Sequence, residues 1–251
     1  FVSLPDIDLS YGNEISISLW INPNNITSNF THAIIKSENE VNPEWMLQFT
    51  AQGTILEFGT LTTQGYNELE ATINPDEFEN NEPVFIVATY DATTKKIYKN
   101  GILIAQNNHN GYFLNLESVH RIGCNSNDFD CFNGKIDDLV IWDNALSNDD
   151  VLEAYNNGVN ENFVGTGTAG IGATLDNIVS QYSFSSGSGD ILYDQLVRAT
   201  HPIAYNGVIN GASWSDDLIL INNLNDPTLT YTSFTTEPNL SLAVTNNVVS
   251  I

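Results

Sequence analysis

The sequence is poor in basic residues. Seven lysines and arginines stand against 31 aspartates and glutamates in 251 residues, which gives a formal net charge of −24. Proteins that bind nucleic acid or an anionic membrane need a basic surface stripe, so this balance argues against both partners. It favours cations, Ca²⁺ above all, because that ion takes carboxylate and carbonyl oxygens as ligands. Solubility alone is the alternative explanation of the charge.

The sequence also lacks long apolar runs, a starting methionine and most thiols. No apolar run reaches the roughly 18 residues of a membrane-spanning helix. The chain starts at Phe1, so we expect a processed chain or a fragment. The two cysteines, Cys124 and Cys131, lie close together. In an exported protein they would form a disulfide, which we favour, and in a cytosolic protein they would stay thiols.

Patterns typical of short β-strands dominate the sequence. Residues 14–21 read E-I-S-I-S-L-W-I, which places the isoleucines and the leucine on one face of a strand. Asn22-Pro23 is expected to end that strand. Residues 45–50 and 54–61 predict a hairpin about Gln52-Gly53.

A three-stranded meander is predicted over residues 84–105. A β-branched run is followed by a turn, a lysine-rich strand and Asn100-Gly101, a pair suited to a type I′ turn. We expect Lys95, Lys96 and Lys99 to protect an edge of this sheet.

One helix is predicted near residues 148–157. Ser147 is its N-cap and Asp150 the acidic partner of a capping box, while Gly158 ends it. Many short strands with a single short helix predict an all-β fold, a two-sheet antiparallel sandwich or jelly roll.

Several segments, in this order, resemble the laminin-G-like jelly-roll family, whose members share the concanavalin A-like lectin/glucanase sandwich. They read S-I-S-L-W-I-N-P (16–23), A-T-Y-D (88–91), Y-K-N-G (98–101), R-I-G (121–123), F-N-G-K-I-D-D-L-V-I-W (132–142) and A-L-S (145–147). The resemblance implies an antiparallel jelly-roll sandwich over residues 1–158.

The resemblance also divides the rest of the chain. Residues 159–177 read as a glycine-rich linker, residues 178–217 resemble the strands that usually open such a domain, and residues 218–251 form a β-rich segment of unclear role. Residues 178–217 either fold back and complete the sandwich or begin a second tandem domain. We favour fold-back, because a sandwich without its opening strands leaves open edges and an uncovered core.

No catalytic arrangement stands out. Glucan-cleaving relatives on this sandwich carry Glu-x-Asp-x-x-Glu or a similar motif on one strand, and no strand here has it. We therefore expect a non-catalytic, extracellular module that recognises a glycan or a surface protein in adhesion. The alternative is a purely structural module of a large cell-surface or virion protein, held by neighbouring domains of the same or a sister chain. A glycoside hydrolase is the third hypothesis.

Calcium is the cofactor that the resemblance implies. In the wider superfamily an aspartate at the position of Asp138 often holds a structural Ca²⁺, and Asp6 and Asp8 would approach it. An oxygen-rich loop offers a second candidate site, with Asn125, Asn127, Asp128 and Asp130 as its donors. The alternative is that Asp137 and Asp138 satisfy loop N–H groups and that the 125–130 loop is solvated.

A glycan site needs exposed aromatic rings beside polar groups. The candidates are Trp45, Tyr66, Tyr112 and Phe113, each of which is alternatively a core or an ordinary surface residue. Trp20 and Trp142 are assigned to packing.

Overall fold

The computed structural model describes residues 1–7, 9, 13–26, 30–37, 42–80, 82–114, 116, 118–159, 175–196, 204–215 and 248–250. The strands within these ranges are β1 (Val2–Leu4), β2 (Ile15–Asn25), β3 (Phe30–Ser37), β4 (Trp45–Thr50), β5 (Ile55–Thr62), β6 (Gly65–Thr72), β7 (Val84–Tyr90), β8 (Thr94–Lys99), β9 (Ile102–Asn108), β10 (Val119–Ile122), β11 (Asn133–Trp142), β12 (Ile178–Tyr182), β13 (Ile191–Leu192), β14 (Gly207–Ile209), β15 (Ser213–Ser215) and β16 (Val248–Ser250). The α-helix is α1 (Asn148–Asn157), and short 3₁₀ turns cover Ala51–Gly53, Pro75–Glu77 and Leu175–Asn177.

The strands form two antiparallel sheets, which confirms the predicted jelly-roll sandwich. The first sheet has the order β13-β14-β1-β10-β3-β4-β5-β6. The second has the order β15-β16-β11-β2-β7-β8-β9, and β12 also pairs with β11. No helix among the described residues has the length and apolar character needed to cross a membrane.

The core lies between the sheets and follows the predicted alternation. Ile15, Ile17, Leu19 and Ile21 of β2 all belong to it. Trp20 points the other way, into a second apolar cluster on the outside of the second sheet. That cluster includes Phe85, Val140, Trp142, Val151 and Ala154, so α1 covers this outer face. The outer face of the second sheet is therefore partly occupied by the protein's own helix.

The helix begins where the sequence predicts. The Ser147 hydroxyl accepts a hydrogen bond from the Asp150 backbone N–H at 3.1 Å, and the Asp150 carboxylate accepts one from the Ser147 N–H at 2.9 Å. This reciprocal capping box satisfies N–H groups that the first helical turn leaves free. Gly158, with φ of 71°, ends the helix in a conformation that favours glycine.

Two local predictions are wrong. Strand β2 does not end at Asn22-Pro23 but continues to Asn25, because Pro23 pairs with Gly134 next to a register shift that accommodates it. The lysines of β8 do not lie on an edge strand, since β8 is flanked by β7 and β9. Lys95 is fully buried, and its ammonium group donates to the backbone oxygens of Phe58 and Asn67 at 3.2 and 2.5 Å.

Strands that follow the helix join both sheets. Strand β12 pairs with β11, with Tyr182 opposite Leu139. Strands β13 and β14 extend the first sheet through β1, with Val208 opposite Ser3. The predicted boundaries at 158 and 177 stay predictions, and most of the linker and of residues 218–251 lies outside the described residues.

Candidate functional site

The candidate site is the outer face of strands β4, β5 and β6 in the first sheet. Trp45, Leu47 and Phe49 of β4 point into the core, as do Leu56 and Phe58 of β5. Since side chains alternate along a strand, the residues between them point outward. We call this surface the acidic face, and its members are Met46, Gln48, Glu57, Gly59, Tyr66, Glu68 and Glu70.

Strand register aligns the polar groups of the acidic face. Gln48 pairs with Glu57, and Glu57 pairs with Glu70, so three polar side chains form one row across three strands. In the next row Gly59 lies between Met46 and Glu68. Ligand oxygens of Glu57, Glu68 and Glu70 all lie within 4.8 Å of one another.

The Tyr66 side chain lies over Gly59 on the acidic face. A Cβ atom at position 59 would collide with the Tyr66 hydroxyl and would stand 3.0 Å from the Met46 methyl group. The absence of a side chain at Gly59 therefore lets the half-buried ring rest against the strands. Burial, together with the neighbouring Glu68 carboxylate, raises the pKa of Tyr66, so its hydroxyl stays protonated.

Glu57 is the buried member of the face, with only 4% of its surface exposed. Its Oε2 accepts a hydrogen bond from Nε2 of Gln48 at 2.6 Å. Burial raises the pKa of Glu57 above its ordinary value, and the hydrogen bond with Glu68 raises it further. Both effects favour the protonated form of the Glu57 carboxyl group relative to that of a solvated glutamate.

The structure separates the four predicted aromatic residues. Tyr66 belongs to the acidic face. Tyr112 is 59% exposed and is tied to the β5–β6 turn, where its carbonyl accepts from the Thr63 N–H at 2.9 Å. Trp45 is fully buried with its ring edge-on to His120, and Phe113 packs edge-on to Tyr90 at 5.4 Å. Of the four, Tyr66 is therefore the ring on the acidic face, and Tyr112 is an exposed ring whose backbone is held at the turn that leads into β6.

Of the residues predicted for the first calcium site, the two that the structure describes, Asp6 and Asp138, have different neighbours. Asp6 pairs with Lys36 at 3.1 Å and with His120 at 3.3 Å in the first sheet. The hydrogen bond from His120, with help from Lys36, lowers the pKa of Asp6 to about 2. Asp138 lies instead on a bulge of β11 and lines a cavity with Trp20 beneath α1. Asp8 lies outside the described residues.

The carboxylate that neighbours Asp138 is that of Asp137 and not that of Asp6. The Asp137 side chain is 1% exposed and accepts a hydrogen bond from the Asp138 N–H at 2.9 Å. Burial raises the pKa of both carboxyl groups, and the charge of Asp138 raises the pKa of Asp137 further. Asp138 has a φ of 45°, a conformation that few residues other than glycine adopt.

The loop predicted as the second calcium site is closed by a Cys124–Cys131 disulfide. Inside it the side-chain oxygen Oδ1 of Asn125 accepts hydrogen bonds from the backbone N–H groups of Asn127 and Phe129, and Nδ2 of the same side chain donates to the Asp130 carboxylate at 3.1 Å. Asp128 pairs with Arg121 at 3.3 Å. The side-chain oxygens of Asn125, Asp128 and Asp130 therefore already have protein partners. The use of this loop as a cation site stays a prediction.

Sequence reasoning missed the carboxylate cluster. Strand β6 has few β-branched residues, and we assigned no strand there. A usable signal was present, since Glu68 and Glu70 alternate with Leu69 and Ala71 in the pattern of a half-buried strand. Nothing local to the sequence aligns that strand with Glu57.

The chain is similar to several solved structures at low sequence identity. The chain is similar to a candidate carbohydrate binding protein from Bacteroides ovatus, with a TM-score of 0.58, 16% identity, and coverage of 84% of this chain and 56% of that one. A SAP-like pentraxin from Limulus polyphemus has a TM-score of 0.47 and 14% identity, and the match covers 63% of this chain and 82% of that one. The binding domain of botulinum neurotoxin DC, solved in complex with SialylT, has a TM-score of 0.48 and 20% identity, and the match covers 60% of this chain and 37% of that one. The chain thus spans little more than half the length of the Bacteroides protein.

Sequence comparison supplies the family. None of the curated proteins compared with the chain matches it. The family model Laminin_G_3, described as the concanavalin A-like lectin/glucanases superfamily, matches residues 1–152, which is more than half of the chain. The chain therefore belongs to this laminin-G family of the concanavalin A-like lectin/glucanases superfamily.

Proposed function

We propose that the chain is a non-catalytic, extracellular module that binds a glycan on the acidic face. The observation that carries this proposal is the difference between the two sheets. Helix α1 covers part of the outer face of the second sheet, whereas the first sheet presents the exposed carboxylates of Glu68 and Glu70 on the same face as the half-buried Tyr66 ring. Such groups hydrogen-bond sugar hydroxyls and stack on sugar rings.

Family membership supports a binding role. The superfamily is named for lectins as well as glucanases, and the similar Bacteroides protein is a candidate carbohydrate binding protein. The extracellular part of the proposal is supported by the disulfide, because such bonds persist mainly in oxidising compartments.

A glycan array tests the proposal. The full chain should bind a defined group of glycans, and Tyr112→Ala should weaken that binding, because Tyr112 carries an exposed ring at the turn that leads into β6 of the acidic face. Tyr193→Ala is the matched control, since Tyr193 is similarly exposed, at 54%, but follows β13 at the opposite edge of the first sheet. An array without signal in both Ca²⁺ and EDTA would contradict glycan binding.

A glycoside hydrolase is the second candidate, because the carboxylates of the cluster are close enough to resemble an acid and nucleophile pair. Burial argues against it, since Glu57 is already bonded to Gln48 and is shielded from a glycosidic oxygen. Reducing-sugar release from the glycans bound on the array decides between the two. We expect no release, and release abolished by Glu57→Gln would establish the enzyme.

Calcium at Asp138 belongs to the same proposal. Its support is the neighbouring pair of carboxylates formed by the buried Asp137 and the half-buried Asp138, because a divalent cation would stabilise both in the ionised form. Added Ca²⁺ should raise the melting temperature of the wild-type protein, and Asp138→Asn should remove most of that increase. An unchanged increase in Asp138→Asn would rule this site out.

A further inference from the structure

We propose that Glu57, Glu68 and Glu70, together with the amide oxygen of Gln48, bind one Ca²⁺ on the acidic face. This site is separate from Asp138 and from the 125–130 loop. It stands whether or not the face binds a glycan, because its test uses the metal alone.

The first support is geometric. Oxygens of the three carboxylates lie within 4.8 Å of one another. Calcium binds oxygen at about 2.3–2.6 Å, so ligands on opposite sides of one ion are up to about 5 Å apart. One ion therefore reaches all three groups without movement of the strands, and the register of β5 and β6 holds them in place.

The second support is an oxygen without a partner. Gln48 is 4% exposed, and its side-chain oxygen Oε1 is buried without a hydrogen-bond partner. Nε2 of the same amide lies 2.6 Å from Glu57 Oε2, which places the amide at the cluster. A buried carbonyl oxygen left unpaired costs about 1–3 kcal/mol. A bound cation would supply the missing partner.

Charge supports the same conclusion. Up to three negative charges meet at the cluster, and none of the ion pairs formed by the described residues involves Glu57, Glu68 or Glu70. The Lys95 ammonium group faces the core and donates to the backbone oxygens of Phe58 and Asn67 rather than to these carboxylates. A set made only of oxygen donors suits a hard cation, and Ca²⁺ tolerates the irregular arrangement of side chains from three strands better than Mg²⁺ does.

Isothermal titration of the full chain with CaCl₂ is the test. Glu70→Gln removes one exposed ligand at little risk to folding and should weaken one site by at least about tenfold. Glu82→Gln is the matched control, because it makes the same change at an exposed glutamate outside the cluster, and it should leave binding unchanged. Asp138→Asn should also leave this site intact, which separates it from the calcium proposed above.

Gln48→Met tests the amide oxygen itself. Methionine has a similar volume without the oxygen, so this variant should weaken the same site as Glu70→Gln does. Wild-type protein that takes up no Ca²⁺, or Glu70→Gln and Glu57→Gln variants that both keep wild-type affinity and stoichiometry, would overturn the proposal.

Terbium luminescence locates the ion. Tb³⁺ substitutes for Ca²⁺ at oxygen sites and is sensitised by a nearby phenol, and Tyr66 contacts Glu68. Tyr66→Phe should lower the emission, whereas Tyr193→Phe should not. Equal emission from the two variants would contradict this placement.

Discussion

The buried ammonium group of Lys95 makes stability depend on pH in a direction opposite to that expected of a buried acid. Lys95 is fully buried, and its contacts are two backbone carbonyl oxygens rather than a carboxylate. Burial lowers the pKa of Lys95 from 10.5 to about 7, although the charges of Glu68 and Glu57 oppose the shift. The unfolded chain keeps the ordinary pKa.

The sign follows from proton binding in the two states. Below about pH 7 both states carry the proton, and the folded protein bears the full cost of a buried charge. Between about pH 7 and 10.5 the unfolded state holds the proton and the folded state does not, so the free energy of unfolding rises with pH. At about 1.4 kcal/mol per pH unit, the Lys95 contribution between pH 6 and pH 9 is about 3 kcal/mol.

Urea unfolding of wild type and Lys95→Met, followed by tryptophan fluorescence, isolates this contribution. The stability of the wild type relative to Lys95→Met should rise by about 3 kcal/mol from pH 6 to pH 9. Titrating groups that do not interact with Lys95 cancel in that difference. Lys96→Met, a change on the opposite face of β8, is the control and should show no such trend. A difference that is flat with pH would refute the lowered pKa of Lys95.

Three further substitutions test other parts of the structure. Gly59→Ala should destabilise the protein by roughly 1–3 kcal/mol in thermal unfolding, because the new methyl group meets the Tyr66 hydroxyl, and Tyr66→Phe should restore part of the loss. Ser147→Ala should cost about 1 kcal/mol in urea unfolding through loss of the capping box, and an unchanged midpoint would show that the helix start contributes nothing. Replacing Cys124 and Cys131 together by serine should cost about 2–3 kcal/mol, since the bond closes only a short loop, and reductant should then have no further effect on stability.

The parts of the fold that the sequence predicted are those with a strong local pattern. The alternation in β2 separates Ile17 and Leu19 from Trp20, and the structure places them in the two apolar clusters. The Ser147 capping box and the Asn100-Gly101 turn are equally local, because each depends on residues within a few positions.

Features that depend on strand register could not be predicted in this way. The carboxylate cluster exists because Glu57 lies opposite Glu70, and that pairing follows from how two strands align. Lys95 shares a strand face with Ile97, so its inward direction was readable from alternation. Its acceptors were not, because they are backbone oxygens of Phe58 and Asn67 in the other sheet.

The strands after the helix decide whether residues 1–158 form a domain by themselves. Ile178, Tyr182, Phe184 and Leu192 are each at most 1% exposed, and they belong to the apolar clusters of the sandwich. Burial of one such side chain stabilises by about 1.5–3 kcal/mol, so the four together contribute about 6–12 kcal/mol. That amount is comparable with the entire stability of a typical domain, about 5–15 kcal/mol.

A chain truncated after residue 158 should therefore fail to unfold cooperatively in urea, since β11 loses β12 and the core loses its cover. A synthetic peptide of residues 175–215, added in trans, should restore a cooperative transition, because it supplies the missing strands of both sheets. If the truncated chain instead unfolds with the midpoint of the full chain, those strands are dispensable to the sandwich. The interpretation in which residues 178–217 open a second domain would then be the correct one.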